Sequence, residues 1–371
     1  MKKIFAKHPV KLIVASLIFA FLIIAPKFQT VDGVSNRANS DFFGVSGSNV
    51  RDRNIGGSCC TGTLGSLITD GSRRYILSNN HVLARLFGLP AGPTFFPTGE
   101  DVTQPGLADN ACQNAEIVAD LTTAIPFSAV STNTVDAAIA ELRPGAMRSD
   151  GSILGIGTIS SVVKPASVGL TVTKSGRTTG ITTGRVTAIN VTSNVQYQSC
   201  ENLTITQINF SNAIAIQANS GAFSAGGDSG SLIVTNNSCR QPVGLLFAGN
   251  STTTLANPAA TVLSRLGSRL GRQLSFVGNA CSASTSAADS LLPEIPSESV
   301  SFATDVMNDN VEKIMKRPAV LAMGVGASET DSTSPAIVIF VDKTKGVTPK
   351  LPKRMKGLEV KIEYTEPFIA Q

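Results

Sequence analysis

The sequence predicts an all-β protein: two packed antiparallel β-barrels closed by a C-terminal helix, with a small α+β unit after them. Three observations carry this. Short apolar runs separated by Gly, Pro, Asn and Asp turns recur from Thr61 to Gly249 in two successive sets of about six. Apolar residues make up 42% and charged residues only 15%, a balance that suits a loop-rich exported protein better than a helical cytosolic one. After the second set, Val262, Leu263, Leu266 and Leu270 fall at helical spacing.

In chain order, Lys2, Lys3, Lys7 and Lys11 precede an uncharged, almost wholly apolar run at 12–25. A charged start followed by such a run reads as a secretory signal over residues 1–26. Pro26 follows directly and no clean small-residue cleavage site precedes it, so an uncleaved signal anchor is the alternative. Residues 27–57 are polar and rich in Gly, Ser and Asn, and are expected to be a lead-in with little structure. The two-barrel domain is expected over 58–281, with the first barrel at 58–150 and the second at 165–275.

Residues 62–69 alternate and end at Asp70-Gly71, a hairpin signal that 74–78 answers. Asn79, Asn80 and His81 end that strand, and a short helical turn is expected to present the histidine. Residues 88–113 are a Gly/Pro loop region. Runs 114–127 and 134–142 read as strands, the second with Asp136 at the mouth of an apolar stretch. An acid there is costly unless it is hydrogen-bonded. Residues 143–167 connect to further strands at 169–175, 185–192, 203–210, 213–218 and 243–249, with a double-glycine turn at 176–184. Asn257 and Pro258 are expected to cap and start the closing helix. A Ser/Pro-rich linker is expected at 282–300. The unit at 301–371 is expected to hold a helix at 306–316 and strands at 319–326, 336–342 and 358–364. Its Lys350, Lys353, Lys356 and Lys361 read as a solvated face.

Composition argues against several function classes. The net charge of +5 is scattered, no basic stripe is interleaved with aromatics, and there is no Trp and only three Tyr. Nucleic-acid binding has no support in this pattern. Two histidines and six cysteines without a C-x-x-C pair argue against a structural zinc site, and no cofactor is expected. Behind an export signal the cysteines read as disulfides, which places the protein outside the cytoplasm, extracellular or periplasmic. Residues 12–25 would be its tether if the signal is retained. The oligomeric state is not specified by the sequence.

Residues 223–232 carry the chemistry. A buried strand has no use for Gly226-Gly227-Asp228-Ser229-Gly230. A tight turn that exposes one hydroxyl does, because glycine admits the positive φ angles it needs. The N–H groups of Gly227 and Ser229 can then face one developing oxyanion. His81 is the single histidine outside the leader, and Asp136 is the acid at a strand mouth, so a base and its orienter stand upstream of the hydroxyl.

The order His81, Asp136, Ser229 across two barrels resembles the trypsin- and chymotrypsin-like serine peptidases. The residues that carry the resemblance are 77–84, 135–139 and 226–231. The hairpin formed by 174–180 and 183–190 resembles the opening of the second barrel in the bacterial alpha-lytic protease branch. The resemblance spans roughly 58–275. It implies acyl transfer, with Ser229 as nucleophile, His81 as general base and acid, and Asp136 fixing the histidine's tautomer. It places Gly227 and Ser229 in the oxyanion hole, and Phe223, Phe247 and Gly249 around the substrate pocket.

The departures from the family matter as well. Val82 follows His81 where bacterial members often have a cysteine, so Cys59 or Cys60 pairs elsewhere, Cys112 being the first choice. Cys200 and Cys239 lie near the ends of second-half strands and are expected to pair with each other. Phe247 stands where a serine usually supports the triad aspartate, which implies a less polar setting for Asp136. Phe223 implies a pocket without an acid, for an apolar or small side chain. In activated zymogens the position of Asp228 pairs with a newly cut N-terminus, and no matching processing site is visible. The sequence reading is therefore an exported serine endopeptidase acting on protein or peptide substrates. Its alternatives are a catalytically weak or inactive peptidase-like binder of peptides or proteins, and an esterase using the same triad.

Overall fold

The computed structural model describes residues 36, 40–54, 56–90, 92–281 and 294–371. The expected signal or anchor at 1–26, with the tether at 12–25, lies outside these residues, as does 282–293 of the expected linker. The chain is mostly β, with 41% strand against 13% helix.

The first sheet contains β1 (Val45–Asn49), β2 (Gly62–Leu64), β3 (Ser66–Thr69), β4 (Arg74–Ser78), β5 (Asp101–Gln104), β6 (Glu116–Ala124) and β7 (Ala138–Leu142), and takes in a late strand, β14 (Ser275–Phe276). Its order is β14-β3-β4-β7-β6-β5-β1-β2, antiparallel throughout, and it curls without closing. The second sheet contains β8 (Thr171–Gly176), β9 (Gly180–Gln198), β10 (Ile205–Ala218), β11 (Leu232–Thr235), β12 (Pro242–Gly249) and β13 (Thr253–Pro258). These six close a ring, β8-β9-β10-β13-β12-β11 and back to β8, again antiparallel.

The short helix α1 (Asn80–Leu83) follows β4, and α2 (Ala259–Leu270) follows β13. Helix α2 buries Val262 and Leu266 in the apolar cluster of the first sheet, with Leu263 and Leu270 packed against its edge. This is the helical stripe expected of a surface helix on a sheet. It stops at Gly271, whose φ of 69° is the left-handed conformation that ends many helices.

Several expectations are corrected. Residues 45–49, assigned to an unstructured lead-in, form the buried strand β1. Its Ser46, Ser48 and Asn49 look like loop residues but are buried and hydrogen-bonded. Ser46 Oγ donates to Asp109, Ser48 Oγ accepts from Leu107 N–H, and Asn49 Nδ2 donates to Leu83 O. Asn257 is not the cap of α2. That position is taken by Pro258, and Asn257 is the buried end of β13. The separate strands expected at 203–210 and 213–218 are one, β10, bent by register shifts near Asn212.

Beyond the linker, α3 (Ser297–Met315) begins within residues expected to be linker. It is followed by β15 (Val320–Ala327), β16 (Pro335–Asp342), β17 (Arg354–Met355), β18 (Leu358–Thr365) and β19 (Phe368–Ala370). This helix and these strands match the expected α+β unit, but its sheet does not stand apart. Strand β15 pairs with the middle of β9, Ala322 opposite Ser193 and Met323 opposite Thr192, and carries β16, β18 and β17 outward. Strand β19 returns to the ring and lies between β12 and β9.

Candidate active site

The site lies where the first sheet meets the second. At the end of β4, the consecutive asparagines anchor the turn that carries His81. Asn79 Nδ2 donates to Asp136 O at 2.7 Å. Asn80 Nδ2 donates to Phe87 O at 2.9 Å and Ile125 O at 2.7 Å. Asp136 precedes β7 and is wholly buried. Its own N–H donates to Asn257 Oδ1 at 2.8 Å, so a second-sheet side chain fixes a first-sheet backbone.

The Asp136 carboxylate has three good donors. Asn80 N–H reaches Oδ1 at 2.7 Å, His81 Nδ1 meets Oδ2 at 2.5 Å, and Tyr197 OH donates to Oδ2 at 2.9 Å. Such satisfaction is what lets an acid stay buried. Burial opposes charge on His81, but the charge and hydrogen bond of Asp136, with lesser help from the Gln371 carbonyl and Asp52, outweigh it. The imidazole pKa therefore stands above its ordinary value. Burial, and then the neighbouring Asp136, push the Tyr197 phenol well above its usual range.

Tyr197 is the residue that sequence reading missed. Phe247 implied an unsupported aspartate, and the support arrives from another strand. A buried tyrosine must find a partner for its hydroxyl, and Tyr197 lies on the inward alternation of β9 with Ser193 and Val195. That is the signal that was available.

Ser229 sits on the glycine-rich turn between Ala225 and Leu232. Gly227 and Gly230 have φ of 98° and 92°. A Cβ on Gly227 would lie 2.3 Å from Arg177 Nη1, and one on Gly230 would lie 2.1 Å from Ser78 Oγ. Backbone conformation and crowding both demand glycine here. The turn is tied to β2 by Thr63, whose N–H donates to Ser229 O at 2.8 Å and whose Oγ1 donates to Gly227 O at 2.9 Å.

Asp228 points the other way into a buried polar knot. Its carboxylate accepts from Thr178 N–H at 2.8 Å, Thr179 Oγ1 at 2.6 Å and Ala225 N–H at 3.0 Å. The fully buried Lys174 ammonium lies 3.4 Å from it. Lys174 also donates to Gly180 O at 3.0 Å and to Thr179 Oγ1. Burial pulls the Lys174 pKa down, and Asp228 pulls it back up less strongly. An internal cation thus occupies the place beside Asp228 that the zymogen comparison would give to a chain terminus.

The site is occupied by the end of strand β19. Gln371 O accepts from Ser229 N–H at 3.0 Å and faces His81 Nε2 at 3.4 Å. Gln371 N–H donates to Ser229 Oγ at 3.0 Å and to Phe247 O at 3.3 Å. The Ser229 hydroxyl itself donates to Phe247 O at 3.1 Å and makes no hydrogen bond to His81. Gly227 N–H makes no bond to the Gln371 carbonyl. Of the expected pocket residues, Gly249 lies against the Gln371 side chain. The rings of Phe223 and Phe247 are buried in two different apolar cores, and Phe247 meets the site through its carbonyl.

The cysteines pair as Cys59–Cys112, Cys60–Cys200 and Cys239–Cys281. The expected Cys200–Cys239 pair is corrected: Cys200 is joined across the two halves to Cys60, and Cys239 to Cys281 just past α2. These bonds fit an oxidising environment. Asp52, Cys60 and Cys200 have ligand atoms within 4.8 Å of one another, but both sulfurs are bonded to each other and are not available as thiolate ligands. Burial holds the Asp52 carboxyl up at about 7, against the pull of Arg85 and His81. No helix among the described residues is long and apolar enough to cross a membrane.

The sequence profile of a family described as the Nal1 C-terminal domain matches residues 111–261, a stretch that holds Asp136 and Ser229 but not His81. No curated protein matches. Among solved structures, the chain is similar to a glutamic-acid-specific serine protease described as using a histidine triad in substrate binding. The two are 19% identical over 63% of this chain and 99% of that one, with a TM-score of 0.40. It is similar to protease A of Thermobifida fusca at 17% identity over 65% of this chain and 100% of that one, TM-score 0.41. It is also similar to an alpha-lytic protease homolog, N4, at 21% identity over 58% and 92%, TM-score 0.37.

Proposed function

We propose that the protein is an exported serine endopeptidase that cleaves protein or peptide substrates through Ser229, His81 and Asp136. The observation that carries this reading is the convergence on one main-chain oxygen, that of Gln371. Ser229 N–H is 3.0 Å and His81 Nε2 is 3.4 Å from the same oxygen, with Ser229 Oγ 3.0 Å from the amide nitrogen of that residue. Behind His81 stands a buried carboxylate that holds Nδ1 and so presents Nε2 to the reaction.

In the first step Ser229 Oγ forms a bond to the substrate carbonyl carbon while His81 Nε2 takes the hydroxyl proton. The carbon–nitrogen bond then breaks as His81 returns that proton to the leaving amine. Water repeats the sequence on the acyl-enzyme, giving its proton to His81 and releasing the acid and the serine hydroxyl. Ser229 N–H stabilises the oxyanion in both steps, a donor of this kind being worth about 3–4 kcal/mol of barrier. Three disulfides support an oxidising compartment for this work.

One observation favours the second reading, a peptidase-like binder without turnover: the Ser229 hydroxyl is bonded to Phe247 O rather than to His81. Prolonged treatment of the full chain with a fluorophosphonate separates the two. The peptidase reading expects one adduct, at Ser229, absent from Ser229→Ala. An unlabelled Ser229 after exhaustive reaction would leave only the binder.

A further inference from the structure

Residues 366–371 enter the site in the way an extended peptide adds to a sheet edge. Strand β19 runs antiparallel to β12, Ile369 opposite Gly249 and Ala370 opposite Ala248. Gln371 N–H continues the ladder onto Phe247 O. In an antiparallel pair hydrogen-bonded positions alternate, so Ile369 with Gly249 is the next bonded pair along. Phe368 anchors the segment: it is fully buried, with its ring 5.9 Å from that of Phe340. Upstream, Glu366 is held by Lys343 at 2.8 Å, and its carbonyl accepts from Asn250 Nδ2 at 2.7 Å. With the segment in place Ser229 is completely buried.

The side chain of Gln371 reports what the site will take. It lies flat on Gly249, where an added Cβ would come within 2.7 Å of Nε2 and 3.1 Å of Cδ. Oε1 of its amide is buried without a hydrogen-bond partner. A polar atom buried without a partner is tolerated, not selected. The shape is therefore read and the amide is not. A methionine side chain keeps the unbranched shape and removes the unpaired oxygen. A glutamate would bury an unpaired charge, which costs much more.

We infer that residues 366–371 are a substrate-like occupant of this chain's own active site, and that the site accepts peptides whose carbonyl-donating residue is unbranched and uncharged. The inference rests on the peptidase reading and deepens it. The occupied state is a shielded one, and substrate must displace the segment to reach Ser229.

The test compares rates of Ser229 labelling by a fluorophosphonate in full-length variants. Ile369→Pro removes a ladder N–H at a half-exposed position, and Gln371→Glu places a charge on Gly249. Each is expected to label at least about tenfold faster than the parent chain, the loss of about one hydrogen bond's worth of seating or more. Gln371→Met is expected to label no faster than the parent. In the Ile369→Pro background, aminocoumarin amides of acetyl-Phe-Ile-Ala-Gln and acetyl-Phe-Ile-Ala-Met should be cleaved at least about tenfold better than the Glu and Lys analogues. Equal labelling of the parent, Ile369→Pro and Gln371→Glu, with Ser229 reactive in all, overturns self-occupancy while the peptidase reading stands. Equal cleavage of the four amides overturns the side-chain class. No labelling in any variant removes the peptidase reading and this inference with it. Gln371→Glu touches no core side chain, so where Ile369→Pro folds poorly both the labelling and the amide comparison are read in the Gln371→Glu chain instead.

Discussion

The two sides of the site are built differently. On the first-sheet side, Asp136 and His81 are over-determined: the carboxylate has three donors, and its backbone is held by Asn79 and Asn257 from opposite sheets. On the second-sheet side the turn is rigid, but its outward groups are taken up by a peptide. Ser229 N–H and Oγ both bond Gln371. The Asp136–His81 half is complete by itself, whereas the outward groups of the Ser229 half are taken up by the segment that lies along β12.

That contrast can be broken from either side. The largest effect is expected from Lys174→Met. It leaves the Asp228 carboxylate buried without its cation, and removing one partner of a buried pair costs about 3–5 kcal/mol. Urea unfolding should show the loss, and adding Asp228→Asn should restore part of it.

Asp52 comes next. The folded chain keeps its proton up to about pH 7 while the unfolded chain loses it near 3.8. This carboxyl therefore makes stability fall as pH rises across that window, by up to about 4 kcal/mol at 1.36 kcal/mol per unit. Asp52→Asn should flatten the decline, seen as a smaller drop in Tm between pH 5 and pH 8.

Tyr197→Phe is expected to cost least, about 1.5–3 kcal/mol for a hydrogen bond to a charged group. It also sharpens the comparison. Without the phenol, Asp136 holds the His81 imidazolium more firmly. Ser229 labelling, which requires neutral His81 and so rises with pH through a midpoint above 6.5, should shift to still higher pH. An unchanged midpoint would mean that Tyr197 only fills space.

How much was legible in the sequence follows the range of the interactions. The glycine turn at 226–230, the hairpin at 62–78 and the stripe of α2 are local patterns, and local physics marks them. The buried polar strand β1 defeats such reading, because Ser46, Ser48 and Asn49 become strand residues only when Asp109, Leu107 and Leu83 meet their side chains. Tyr197 lies 61 residues beyond Asp136, and nothing between them signals the bond. Asn257 carried a strong helix-start signature, and a tertiary partner, the Asp136 N–H, claimed its side chain instead. Strand β19 was hidden for the same reason: three residues pair only because β9 and β12 present two edges with a gap between them.

The short connection from β18 to β19, Glu366 and Pro367 alone, has a consequence for affinity. A ligand tethered this closely is presented at an effective concentration on the order of millimolar or more. The segment can thus fill the cleft while binding only weakly as a free peptide. On the proposed peptidase reading, an incoming substrate would compete with that local concentration, not with the segment's intrinsic affinity. Turnover of dilute peptides would be set by how often two residues of chain let go.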